Sequence, residues 1–134
     1  MRLFLAGLTA LALLTTGCQK EATLPAPTTV QSRILGRLWL ESYEEEQPGT
    51  NTKVFRTQTY AFAVSRPRFG FQFDAGNVFT GYQASPTDGQ TTVPGRWLTT
   101  GPDLFRITPN HEPSTYTLHL ISVQDDVLRV QILP

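Results

Sequence analysis

The stretch Phe69-Gly70-Phe71-Gln72-Phe73-Asp74-Ala75-Gly76-Asn77-Val78-Phe79 decides the fold. Phe69, Phe71 and Phe73 fall on one face of an extended chain, and Gly70, Gln72 and Asp74 fall on the other. This two-residue alternation is that of a half-buried strand. Asp74-Ala75-Gly76-Asn77 then offers turn formers with a glycine free to take positive φ. The strand and its successor, Val78 to Ala84, are therefore expected to pair as a hairpin.

The same rhythm continues in both directions. Towards the C-terminus, Ser85-Pro86-Thr87-Asp88-Gly89 breaks the chain before a strand over 91–100, in which Pro94-Gly95 is expected to bulge or bend the ladder. Gly101-Pro102-Asp103 turns into a strand from Leu104 to Thr108; beyond the loop Pro109 to Pro113, strands over 114–122 and 127–133 flank Gln124-Asp125-Asp126. Towards the N-terminus, a strand over 53–64 carries Tyr60, Phe62 and Val64 on one face and ends at Arg66-Pro67. A first strand over 34–45 precedes it, followed by the acid run Glu44-Glu45-Glu46 and the loop Gln47-Pro48-Gly49. No segment keeps a helical period. Eight short antiparallel strands with local connections imply an all-β domain and suit an up-and-down barrel, which leaves no exposed sheet edge. A two-sheet sandwich is the competing arrangement, since alternation does not separate closure from stacking.

Composition narrows the chemistry. The 134 residues balance eleven basic against eleven acidic side chains, so there is no electrostatic footprint for nucleic acid. A single cysteine, Cys18, forbids an internal disulfide framework, and two histidines cannot build a three-histidine metal site. No cofactor is implied.

The first residues read as an address. Met1-Arg2 precedes an apolar run from Leu3 to Leu14, then Thr15, Thr16, Gly17 and Cys18. As a helix that run is about 18 Å long against a hydrocarbon core of about 30 Å, so it suits a secretory signal and not a membrane span. Small residues directly before a cysteine resemble the lipobox of bacterial lipoproteins. The resemblance implies a signal peptide over 1–17, acylation of Cys18, and membrane attachment through its acyl chains. Gln19, where an aspartate would retain such a protein, implies the outer membrane of the cell envelope, and Lys20-Glu21 is similar to a short surface-export signal. The stretch 18–32, rich in Thr, Pro and Ala, cannot bury enough apolar area to offset its ordering entropy and reads as the lipidated N-terminus and flexible linker. The barrel domain is expected over 33–134.

Seven aromatic residues are the candidate barrel lining: Tyr60, Phe62, Phe69, Phe71, Phe73, Tyr82 and Trp97. If they converge, they either enclose an apolar ligand or pack against one another as a core, because an eight-stranded barrel is just wide enough for either. His119, between Leu118 and Leu120, is expected on the solvent face of its strand. His111-Glu112 reads as an exposed polar loop, Asp125-Asp126 as a turn lacking the glycine and distal glutamate of a calcium loop, and Glu44-Glu45-Glu46 as a solvated edge. No glycine-flanked serine elbow or other catalytic constellation is present, and the chain is expected to be non-enzymatic.

Leu35-Gly36-Arg37-Leu38-Trp39-Leu40-Glu41-Ser42-Tyr43-Glu44, Gly95-Arg96-Trp97 and the pair Tyr116-Thr117-Leu118 and Leu128-Arg129-Val130 resemble the lipocalin-like domains of small bacterial lipoproteins. The resemblance implies an eight-stranded barrel closed at one end with room for an apolar ligand. It also suggests that Arg129 stacks across an aromatic such as Trp39. This chain places Trp39 one residue further from Gly36 than the family does, and one residue turns a strand side chain to the opposite face. The expected function is an exported, lipid-anchored protein binding a small apolar or amphipathic molecule. The alternative is a non-enzymatic accessory protein of the cell envelope with a filled barrel.

Overall fold

The computed structural model describes residues 30–134; the signal, Cys18 and most of the expected linker lie outside them. The chain forms α1 (Val30–Ile34), β1 (Leu38–Glu41), β2 (Lys53–Thr57), β3 (Gly70–Asp74), β4 (Val78–Ala84), β5 (Gln90–Gly101), β6 (Leu104–Pro109), β7 (Tyr116–Gln124) and β8 (Val127–Leu133). The eight strands close into an antiparallel barrel, as the alternation predicted. From β3 to β8 each strand pairs with its successor, in the up-and-down manner. The first two strands exchange places: β1 lies between β2 and β3, and β2 closes the ring against β8.

That exchange corrects the expected strand over 53–64, because β2 ends at Thr57. The position beside β2 is already filled by β1, so residues 58–69 have no ladder to join and cross over β1 as a strap instead. Tyr60 N–H turns back onto the Thr57 carbonyl at 2.9 Å, and Phe62 N–H onto that of Tyr60 at 3.0 Å. Gly70, where the chain re-enters the barrel, is crowded: a Cβ there would sit 2.6 Å from the Trp39 carbonyl oxygen and 2.8 Å from Leu40 Cδ2.

The expected first strand over 34–45 is likewise shorter. α1 includes Val30, Gln31 and Ser32, the end of the expected linker, and Gly36 at φ +68° breaks the chain before β1. A 3₁₀ turn, Tyr43–Glu45, follows β1. The helix plugs the base of the barrel. Ile34 is fully buried, Gly36 N–H donates to the Phe73 carbonyl at 2.7 Å, and the Trp39 indole donates to the Ile34 carbonyl at 3.3 Å.

The hairpin read from 69–79 forms as expected, with Gly76 at φ +74° in its turn. The bulge expected at Pro94-Gly95 does not. Register is unbroken there and shifts between Thr99 and Gly101 instead. Pro94 needs no donor in the ladder, its carbonyl accepts Asn110 N–H at 2.9 Å, and Gly95 lets β6 approach to where a Cβ would stand 2.8 Å from the Thr108 oxygen.

Candidate functional site

Alternation around the closed ring sends one aromatic set inward, and those rings fill the interior. Phe73 is the hub: its centroid lies 5.5 Å from Phe71, 5.4 Å from Phe79, 5.7 Å from Trp97 and 5.6 Å from Phe105, tilted or edge-on in each case. Phe55 meets Phe71 at 4.6 Å. These are the offset geometries aromatic rings prefer, and they leave the inner barrel packed. The Trp97 indole N–H donates to the Asp74 carbonyl at 3.0 Å, so this buried donor is satisfied.

Of the seven candidate lining residues, the structure brings Phe71, Phe73 and Trp97 into the core, with Phe69 partly buried against it. Tyr82 is not inside. It shares the outward face of Thr80 and Val78, while Phe79 and Gly81 point in. Tyr60 and Phe62 are not inside either, because they belong to the strap: their rings meet at 5.0 Å, with Arg56 over Tyr60 and Arg68 over Phe62. Conversely, Phe55, Phe79 and Phe105 complete the core without having been singled out. Phe79 and Phe105 carried a signal, since each starts a run of alternate inward positions continued by Gly81 and Ile107. Phe55 carried none: Val54 beside it is also buried, and two consecutive buried residues erase the alternation.

Charged residues assemble on the strap side. The acid run is an ion-pair knot, and not the solvated edge expected of it. Glu44 takes both terminal nitrogens of Arg68, at 2.9 and 2.5 Å; Glu45 accepts from Arg56 at 2.7 and 2.8 Å; Glu46 accepts from Lys53 at 3.1 Å. The 3₁₀ turn makes this possible by fanning three consecutive carboxylates towards three cations. Arg68, only 7% exposed, also donates to the carbonyls of Glu41 and Ala63, and its guanidinium lies 4.6 Å from the Tyr43 ring and 4.4 Å from the Phe62 ring. It pins the strap over β1.

Electrostatics follow from these bonds. The Arg56 hydrogen bonds hold the Glu45 carboxyl down at about 2, and Arg68 lowers that of Glu44. Glu41 and Glu46 raise Lys53, chiefly through the hydrogen bond to Glu41, while Glu45 raises Arg56 and Glu44 raises Arg68. Glu44, Glu45, Lys53, Arg56 and Arg68 are thereby held in their charged forms at neutral pH, which suits a clamp and not proton transfer. At the start of β7, burial pushes the Tyr116 phenol up to about 12, with Glu112 adding to it.

The remaining sequence candidates stay dispersed. His111 is exposed, and Glu112 accepts a hydrogen bond from Gln83 at 3.4 Å. His119 is half-buried on the outward face between Leu118 and Leu120. Asp125, at φ +46°, makes the β7–β8 turn, and Asp126 pairs with Arg56 at 3.0 Å. Among the described residues no group of three His, Cys, Asp or Glu side chains is gathered as a metal site would need. The expected stacking of Arg129 on Trp39 is not made. Arg129 is exposed on the outside of β8, whereas Trp39 is fully buried, and the two lie on opposite sides of the barrel wall.

Concavities lie on the surface. One of about 520 Å³ opens at the base among Gly36, Arg37, Thr57, Gln58, Asp125 and Asp126, and its lining is mostly polar. Another, about 390 Å³, lies beside the strap at Arg66, Pro67 and Phe69. Neither is lined by the Phe73 cluster. Compared with known proteins, the chain matches no family model, no curated protein and no solved structure.

Proposed function

We propose that the chain is a lipid-anchored, non-catalytic barrel of the bacterial cell envelope, held to the membrane through Cys18, that acts through its outer surface. The observation that carries the choice between a ligand cavity and a filled core is the contact of Phe73 with four aromatic neighbours. An apolar guest would have to displace rings that already satisfy one another, and close-packed interiors resist such displacement. The closed barrel and the opening Leu35 to Glu44 motif support kinship with lipocalin-like lipoprotein domains.

Two measurements test the two halves of this reading. Labelled palmitate should be incorporated into the full chain and lost on Cys18→Ser; equal labelling of the variant contradicts the anchor. Native mass spectrometry of the chain purified from membranes should show protein and acyl anchor with no further small molecule. A stoichiometric apolar guest would restore the ligand-binding reading.

A further inference from the structure

The two sides of the barrel treat their cations differently. Around β1, β2 and the strap, Lys53, Arg56 and Arg68 are ion-paired, while the exposed Arg66 lies over the Tyr43 ring at 5.7 Å. Beyond β2 the ring continues through β8, β7, β6 and β5, whose outward positions carry Arg129, Arg106 and Arg96 with no outward carboxylate on any of those strands. All three arginines are exposed, and among the described residues none has a hydrogen-bond or ion-pair partner; Arg129 lines a concavity with Glu45 and helps lower its carboxyl. Leu98 is 56% exposed and Ile121 46% on the same wall, with Val78 48% exposed on β4 beside Arg96.

Register places Arg96, Arg106, Leu98 and Val78 together, whereas Ile121 and Arg129 lie apart from them, beside Glu45 and the 47–52 loop. Arg96 is opposite Thr108 and Leu98 opposite Arg106, so Arg96 and Arg106 are diagonal neighbours, roughly 7–8 Å apart at the backbone. The row continues from Arg106 to Thr117 on β7 and from Thr117 to Leu133 on β8. Two like charges at that spacing on a pleated face repel each other unless an anion neutralises both. Asp74, across Val78 on β3, and Asp103 in the β5–β6 turn are not ion-paired to the wall.

We infer that the wall around Arg96 and Arg106 is a contact surface for anionic phospholipid headgroups, with those two arginines taking the phosphates and Leu98 and Val78 resting at the interface. The choice of a bilayer as occupant rests on the anchor reading above and on where the chain leaves the barrel. α1 packs against the lower end of β7, and Arg33 donates to the Val123 carbonyl there, so the chain departs beside this wall. The eleven residues between Cys18 and Val30 span about 18 Å as a coil, and at most about 40 Å extended, enough to lay the wall against the membrane. A closed barrel offers no free strand edge to an extended peptide, so this outward face suits a broad charged surface better. A basic patch also provides the second signal that makes an acyl anchor stable.

The test places p-benzoylphenylalanine at Thr108, in the patch, or at Asn51, in the acid loop, of the full chain bound to phosphatidylcholine vesicles with or without phosphatidylglycerol. Irradiation should give a lipid adduct from Thr108, several-fold above Asn51, only on the phosphatidylglycerol vesicles, and high salt should suppress it. Arg96→Gln with Arg106→Gln should lower its yield by up to about thirty-fold. Equal yields from both positions or both vesicles, or a chain-to-chain adduct, would overturn the contact. Palmitate labelling of the same preparation separates the two readings: label without adduct removes the wall contact, adduct without label removes the anchor, and absence of both removes each.

Discussion

The strap side and the β5–β8 wall contain the same residue type in opposite circumstances. Arg68 is almost fully buried, accepted by Glu44 and two carbonyls and held between two rings. Arg96 and Arg106 stand exposed with no hydrogen-bond or ion-pair partner among the described residues. Burial compels pairing because an unpaired charge in a poorly hydrated site is expensive, whereas water solvates an exposed guanidinium and leaves it available. The difference teaches which arginines serve the fold and which are free to serve something outside it.

The comparison can be broken most severely from the interior that both sides share. Phe73→Ala should cost about 3–5 kcal/mol, read as a shift of the urea midpoint at unchanged slope, because it removes the hub of the ring cluster. A loss under about 1 kcal/mol would mean that the interior is loosely filled. Arg68→Met should cost about 2–3 kcal/mol from lost hydrogen bonds and ring contacts, and should expose the strap to proteolysis near Val64, which is already fully exposed. If Arg68→Met unfolds at the wild-type midpoint, the strap is not pinned as described.

Smaller effects sharpen the contrast. Glu45 titrates at about 2 in the fold against an ordinary 4.5, so the stability it contributes is present above 4.5 and lost as pH falls towards 2. Arg56→Met should therefore flatten the fall of the unfolding midpoint across that window, and an unchanged acid limb would place the pH dependence elsewhere. Smallest of all, Arg96→Gln and Arg106→Gln should each leave stability within about 0.5 kcal/mol of wild type in calorimetry, since neither has a partner to lose. A cost above 1 kcal/mol would show that the wall arginines support the fold after all.

Much of the barrel was legible because alternation needs only neighbouring residues to report a face. Phe69 to Asp74 and the Gly76 turn gave the β3–β4 hairpin directly. The exchange of β1 and β2 was hidden, since Tyr60 and Phe62 alternate as a strand would while packing outside on Arg56 and Arg68. Pairing partners are a property of the closed ring and not of any segment. α1 was too short to show a helical period. The ion-pair knot was equally hidden: Glu44 and Arg68 are 24 positions apart, and only the strap brings them together. The unpaired arginines of the wall become visible only once the carboxylates of the described residues have been placed.

The most direct measurement is a titration of the chain with N-phenyl-1-naphthylamine, following both probe emission and Trp97 fluorescence. A filled interior predicts no saturable enhancement and no change at Trp97. Saturable binding at one probe per chain, with quenching of Trp97 and sensitivity to Phe73→Leu, would show that the barrel opens to a guest and would contradict an account based on its outer surface.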